Sequence, residues 1–315
     1  MKFLLLFLLL LSMLSAQERP LTLHIKKVKN AYSSEREFEI LFNPNPFYDF
    51  FIYAQKHPFP DSHGPTISRT HLAYFSEGIF LSYLEPTFIK YELNQAGFLN
   101  TICFEDQKTD SQGYLSETSN SIFVVFRGTD TGSLRDYFHD ALALQIPWGK
   151  KSKVHQGFSK AFDGTRRALH SKEIWSRLKT TKKQLYLVGH SLGGAIATLV
   201  GYHFPNAIVY TFGAPAVGNE EFTKQIKNPT FRVINRSDLV PMLPPKVLAL
   251  PQYSHHSKAW QWVGDLADFA TIKMQNNTQW IRYEFLKDPS FFTGDNLNDH
   301  AAIYYSLRAI NLLNQ

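Results

Sequence analysis

Cysteine is nearly absent from this chain of 315 residues, which holds Cys103 alone. One thiol excludes any intrachain disulfide, so stability must come from a buried core, which this length can supply. No second Cys and no neighbouring His mark Cys103 as a thiol catalyst, and it reads as a buried apolar residue. Runs of one charge sign are scarce too. Lys and Arg total 33 against 27 Asp and Glu, a net +6, with only short pairs at Lys26-Lys27, Lys150-Lys151 and Lys182-Lys183. That scatter excludes a nucleic-acid stripe, while the basic balance suits a soluble surface able to meet anionic headgroups. Internal repeats, low-complexity blocks and linkers are likewise missing. The apolar run from Phe3 to Leu11 is shorter than the roughly 20 residues a membrane span needs.

What is present begins with that run. Lys2, the apolar stretch and Ser12-Met13-Leu14-Ser15-Ala16 together read as a secretory signal peptide over residues 1–16. No Cys follows to carry a lipoprotein anchor, so the mature chain is expected from about Gln17, secreted or periplasmic. Residues 17–315 then form a single domain, with 17–65 an N-terminal extension of unclear role. Prolines at 44, 46, 58, 60 and 65 argue for irregular structure there.

From Arg69 to Tyr83, Leu72, Phe75, Ile79 and Tyr83 recur at helical spacing. Further on, short runs rich in Val, Ile, Phe and Tyr (Ser121 to Phe126, Gln184 to Val188, Ala207 to Thr211, Phe231 to Asn235) read as strands buried on both faces. Helix-like stretches lie between them at Gly157 to Leu178, Leu192 to His203 and Asn219 to Ile226. The alternation predicts an α/β fold: a mainly parallel central sheet with helices on both faces.

The sharpest motif is Gly189-His190-Ser191-Leu192-Gly193, which fits G-x-S-x-G between an apolar strand and a small-residue helix. Such a turn strains its central residue and projects Ser191 Oγ beside a helix N-terminus. A serine hydroxyl needs an adjacent base, itself oriented by a carboxylate, and in this strand-turn-helix setting the acid and then the His follow in the chain. Asp238 lies just past the strand ending at Asn235, a position that Asp265, Asp268, Asp288 and Asp295 lack. Among His255, His256 and His300, the last is favoured because it opens the final apolar-periodic helix; the other two sit in a polar segment expected to be exposed.

A developing oxyanion needs donors. One is expected from the backbone N–H of Leu192, the other from Thr129 in Arg127-Gly128-Thr129-Asp130, directly after a strand. Leu134, Tyr137, Phe138, Ala141 and Leu142 follow as an apolar helical stripe. This is either a core-packed helix or a lid over the site; its place after the oxyanion loop favours the lid.

Six segments, VVFRGTD (124–130), VHQGF (154–158), LVGHSLGGAIA (187–197), TFGAPAVGN (211–219), RVINRSDLVPMLPP (232–245) and DHAAIYY (299–305), resemble the class 3 lipases, the family of the filamentous-fungal triacylglycerol lipases and feruloyl esterases. The resemblance spans roughly residues 70 to 310 and implies an α/β-hydrolase fold with a helical lid. It implies Ser191, Asp238 and His300 as triad, Thr129 and Leu192 as oxyanion donors, and residues 131 to 142 as the lid. His155 and Gly157 resemble a structural element packed beneath the site. The implied activity is ester hydrolysis, most simply of triacylglycerol or another lipid ester at a lipid interface, without metal or organic cofactor. Phospholipase A-type and feruloyl-type cleavage are the alternatives, and an inactive lipid-binding module is disfavoured by the full set of competent residues. Two departures stand out: the fungal members commonly carry disulfides, and residues 17–65 match nothing in the family pattern.

Overall fold

The structure is a computed structural model that describes residues 44, 48–61, 67–129, 144–235, 238–244, 252–257, 259–262, 269–272 and 299–313. The signal-peptide expectation at 1–16 and the lid residues Leu134, Tyr137, Phe138 and Leu142 lie outside the described residues.

After a turn at 50–57 come helices α1 (Arg69–Leu81) and α2 (Pro86–Gln95), then strands β1 (Leu99–Asp106), β2 (Ser111–Glu117) and β3 (Ser121–Phe126). Strands β4 (Gln145–Trp148) and β5 (Ser152–His155) form a separate small sheet. Helices α3 (Gln156–Ser171) and α4 (Ile174–Thr180) lead to β6 (Gln184–His190), α5 (Leu192–His203) and β7 (Ile208–Phe212). The chain continues through α6 (Glu220–Thr223), β8 (Thr230–Asn235), a 3-10 turn at Val240–Met242, β9 (Ala259–Trp262), β10 (Phe269–Ile272) and α7 (Ala302–Leu313).

The main sheet has eight strands in the order β1-β2-β3-β6-β7-β8-β9-β10. Its centre, from β3 through β9, is parallel, and the flanking pairs β1–β2, β2–β3 and β9–β10 are antiparallel. Side chains of the central strands alternate between two cores, as the two-residue period of a strand requires. Phe123, Val125, Tyr186, Val188, Tyr210 and Phe212 face α1 and α7, while Ile122, Val124, Leu185, Leu187 and Val209 face α3, α4 and α5. Helix α5 is apolar and buried almost all round, so it can lie only between the sheet and another layer. The 50–57 turn adds Phe50, Phe51 and Tyr53 to the first core, beside α1 and α7.

Local chemistry sets the helix starts. Ser68 Oγ accepts from the His71 N–H at the head of α1 (3.0 Å), and His155 Nδ1 accepts from Gly157 and Phe158 at the head of α3 (3.1 and 3.4 Å). Two helical expectations are corrected. The single helix expected over 157–178 is broken after Ser171 because Glu173 takes a left-handed conformation (φ 57°), turning Ile174, Trp175 and Leu178 into the second core. The helix expected over 219–226 narrows to Glu220–Thr223, capped by Asn219 Oδ1, which also ties back to Lys153. The hairpin β1–β2 was not anticipated. Its strands mix Ser, Gln, Gly and Asn with apolar residues, so no clean period marks them, and pairing to β3 decides their structure.

Candidate active site

The register of the parallel strands brings their carboxyl ends level. Phe126 of β3 stands opposite Gly189 of β6, His190 opposite Phe212 of β7, and Phe212 opposite Val233 of β8. Residues 127–129, Ser191, Gly213 and Asp238 therefore all leave the sheet on one side, where crevices of α/β sheets form.

Ser191 joins β6 to α5 with φ 55° and ψ −126°, a conformation costly for any residue with a Cβ. Its N–H donates to the Phe212 carbonyl (3.0 Å), and its carbonyl accepts from Gly194 and Ala195 (3.0 and 3.2 Å). The turn is tight because glycine permits it: a Cβ at Gly193 would lie 2.0 Å from the Phe126 carbonyl oxygen. The head of α5 thus packs straight onto the end of β3, with Gly193 against the Phe126 and Arg127 carbonyls. Ser191 is 1% exposed, and its Oγ has no hydrogen-bond partner among the described residues. Thr129 Oγ1 is buried and equally without a partner among them.

Asp238 and His300 are fully buried and bonded to each other: His300 Nδ1–H donates to Asp238 Oδ2 at 2.9 Å and lies 3.1 Å from Oδ1. With its proton on Nδ1, the ring presents Nε2 as the basic nitrogen. Two further donors hold the carboxylate, the Val240 N–H (2.9 Å to Oδ1) and the Tyr305 hydroxyl (2.5 Å to Oδ2). Tyr305 also accepts the Asn235 N–H (3.0 Å), and Asn235 Nδ2 donates to the Asp299 carbonyl (2.8 Å). Burial first, then the Asp238 charge, pushes the Tyr305 hydroxyl well above the usual phenol range, so it remains a donor. Gly213 links serine and pair: it follows Phe212, and a Cβ on it would lie 2.6 Å from Asp238 Oδ2 and 2.9 Å from His300 Nδ1. The arrangement holds a carboxylate against an imidazole and sets a serine on a strained turn beside a helix N-terminus, the groups that nucleophilic acyl transfer uses.

The family model for lipase (class 3) matches residues 123–248, covering the elbow and the Asp238 segment. Over that segment the chain is similar to the class 3 lipases. It is 28% identical over 163 residues to a lipase of Rhizomucor miehei, covering 47% of this chain and 43% of that protein. It is also 28% identical over 216 residues to a secreted mono- and diacylglycerol lipase of Malassezia globosa, covering 59% of this chain and 64% of that one. The chain thus matches less than two thirds of the length of either curated relative. Among solved structures, the mono- and diacylglycerol lipase from Aspergillus oryzae superposes with a TM-score of 0.60 at 23% identity, over 78% of this chain and 98% of the other. That likeness extends the family resemblance to the fold, an α/β-hydrolase.

His155 is buried and caps α3. His255 and His256 are corrected from exposed to half-buried. His255 Nε2 lies 2.7 Å from the Pro241 carbonyl, and burial pushes the His256 imidazole down to about 3. Sequence reasoning missed Tyr305, Gly213 and the contacts of His190. Only the placement of Tyr305 on the same terminal helix as His300 hinted at the first.

Proposed function

We propose that this chain is an exported serine carboxylic-ester hydrolase cleaving lipid esters of the acylglycerol type through an acyl-enzyme on Ser191. The observation that carries the reading is the strained Ser191 turn, whose preceding residue His190 stacks on the His300 ring of the buried, hydrogen-bonded Asp238–His300 pair. The names of the relatives, which include secreted mono- and diacylglycerol lipases, support both the substrate class and export.

In the proposed cycle His300 Nε2 takes the Ser191 proton as Oγ attacks the ester carbonyl. The N–H groups of Leu192 and Thr129 hold the oxyanion, with the Thr129 hydroxyl as a third donor. His300 then protonates the leaving alcohol, and water repeats the sequence on the acyl-enzyme. Asp238 stays ionised throughout, fixing the tautomer and stabilising the imidazolium, while Val240 and Tyr305 hold the carboxylate in place.

Hydrolysis of p-nitrophenyl butyrate and of emulsified diacylglycerol by the wild type and Ser191→Ala tests this reading. Expected is turnover on both substrates that falls by about a thousandfold or more in the variant. Equal rates in the two proteins would refute Ser191 as nucleophile.

A further inference from the structure

His190, the residue before the proposed nucleophile, is 1% exposed, and its side chain packs against His300. Its ring stacks on the His300 ring at 4.5 Å between centroids with planes 27° apart. Its Nε2 lies 2.7 Å from the His300 main-chain carbonyl, and its Nδ1 lies 3.3 Å from the Tyr83 hydroxyl. A carbonyl only accepts, so His190 carries its proton on Nε2. In the neutral ring Nδ1 is then an acceptor, and Tyr83 O–H donates to it. Tyr83 in turn supports the loop after β3. The Arg127 guanidinium lies 5.1 Å from its ring centroid, and a Cβ at Gly128 would lie 2.5 Å from its hydroxyl.

We propose that His190, held by Tyr83, is a positioning residue that pins the backbone of the base and ties it to the oxyanion loop. The inference rests on the proposed triad and adds a second anchor to it. Asp238 holds the His300 ring through Nδ1, and His190 holds the main chain from which that ring hangs. A ring fixed at both points keeps Nε2 aimed at the serine as its charge changes. The stacked neighbour must also stay neutral, because a second cation 4.5 Å away would oppose the imidazolium that forms in the transition state. Among the described residues, the other titratable groups facing His190 are Tyr83 from the segment after α1 and Tyr305 of α7, whose ring is 5.7 Å away; Arg127 lies beyond Tyr83. Burial, followed by the neighbouring His300, keeps the His190 imidazole well below its ordinary pKa.

The test uses the full chain with p-nitrophenyl butyrate, comparing wild type, His190→Phe, His190→Gln and Tyr83→Phe, with Ser191→Ala and a fluorophosphonate label as controls. His190→Phe keeps an aromatic ring and loses the bond; it is expected to lower kcat by about tenfold or more and leave KM within about twofold. His190→Gln restores an N–H to the carbonyl and should recover most of that loss. Tyr83→Phe frees Nδ1 to take a proton, so its kcat/KM should fall more steeply than wild type on the acid side. Wild-type kcat in His190→Phe would overturn the inference. So would equal losses in the Phe and Gln variants that track a lowered melting temperature, since the ring would then be packing only. A folded wild type that neither turns over nor takes up the label would refute the triad reading itself, a separate outcome.

Discussion

Gly213 is where the Asp238 carboxylate, the His300 ring and Tyr305 crowd onto one backbone atom, and Gly213→Ala tests how much the proposed catalysis depends on that spacing. A methyl there would lie 2.6 Å from Asp238 Oδ2, 2.9 Å from His300 Nδ1 and 2.9 Å from the Tyr305 hydroxyl. Ordinary contact begins at 3.4 Å, so relief requires the carboxylate to retreat by about 0.8 Å. A displacement near 1 Å at a reacting group costs about a hundredfold in rate, which is the expected fall in kcat. The φ of +59° adds a backbone cost of about 1–2 kcal/mol in stability. Gly149→Ala separates the two effects, because Gly149 has φ +79° and nothing within 4 Å of the added methyl. It should lose similar backbone stability and keep wild-type kcat. Both variants are read by p-nitrophenyl butyrate kinetics beside thermal unfolding. A Gly213→Ala enzyme with wild-type kcat would refute the crowding argument, as would a Gly149→Ala enzyme that loses as much activity.

Two further outcomes follow from contacts elsewhere in the fold. Tyr305→Phe removes a donor from the buried Asp238 carboxylate and the acceptor of the Asn235 N–H, so about 2–4 kcal/mol of stability should go, with kcat lowered several-fold; a melting temperature unchanged from wild type would show that neither bond matters. Glu77, fully buried in α1, accepts the Phe51 N–H, and burial pushes its carboxyl up to about 8. The folded state therefore holds a proton that the unfolded chain releases near pH 4.5, and stability is lost as pH rises from about 4.5 to about 8. Glu77→Gln should flatten that slope and be the more stable protein at pH 8; denaturant unfolding at pH 5 and pH 8 checks it, and parallel slopes in the two proteins would overturn it.

The legible parts of the molecule are those whose chemistry is contiguous in the chain. Strand, turn and helix around Ser191 lie in one run of residues, so the strained turn follows from Gly189, Gly193 and the apolar run before them. The central strands are equally plain, because burial on both faces leaves unbroken apolar stretches. Asp238 and His300 could be picked out as a residue past a strand end and a residue opening a helix. The edge hairpin β1–β2 was not legible, since its residues take their strand form from pairing with β3. The break at Glu173 was hidden because it carries no glycine or proline.

By itself the sequence determined the alternation of strand and helix, the elbow, and the kinds of group that could serve as acid, base and oxyanion donor. Tertiary structure alone decided which of them meet. Asp238 and His300 are 62 residues apart in the chain and touch only because β3, β6, β7 and β8 end level and α7 docks across them. The same docking delivers Tyr305 to the Asp238 carboxylate and the His300 main chain to His190. Those contacts join segments whose separation carries no periodic signal, and only packing of the sheet against its helices supplies the geometry that hydrogen bonds demand.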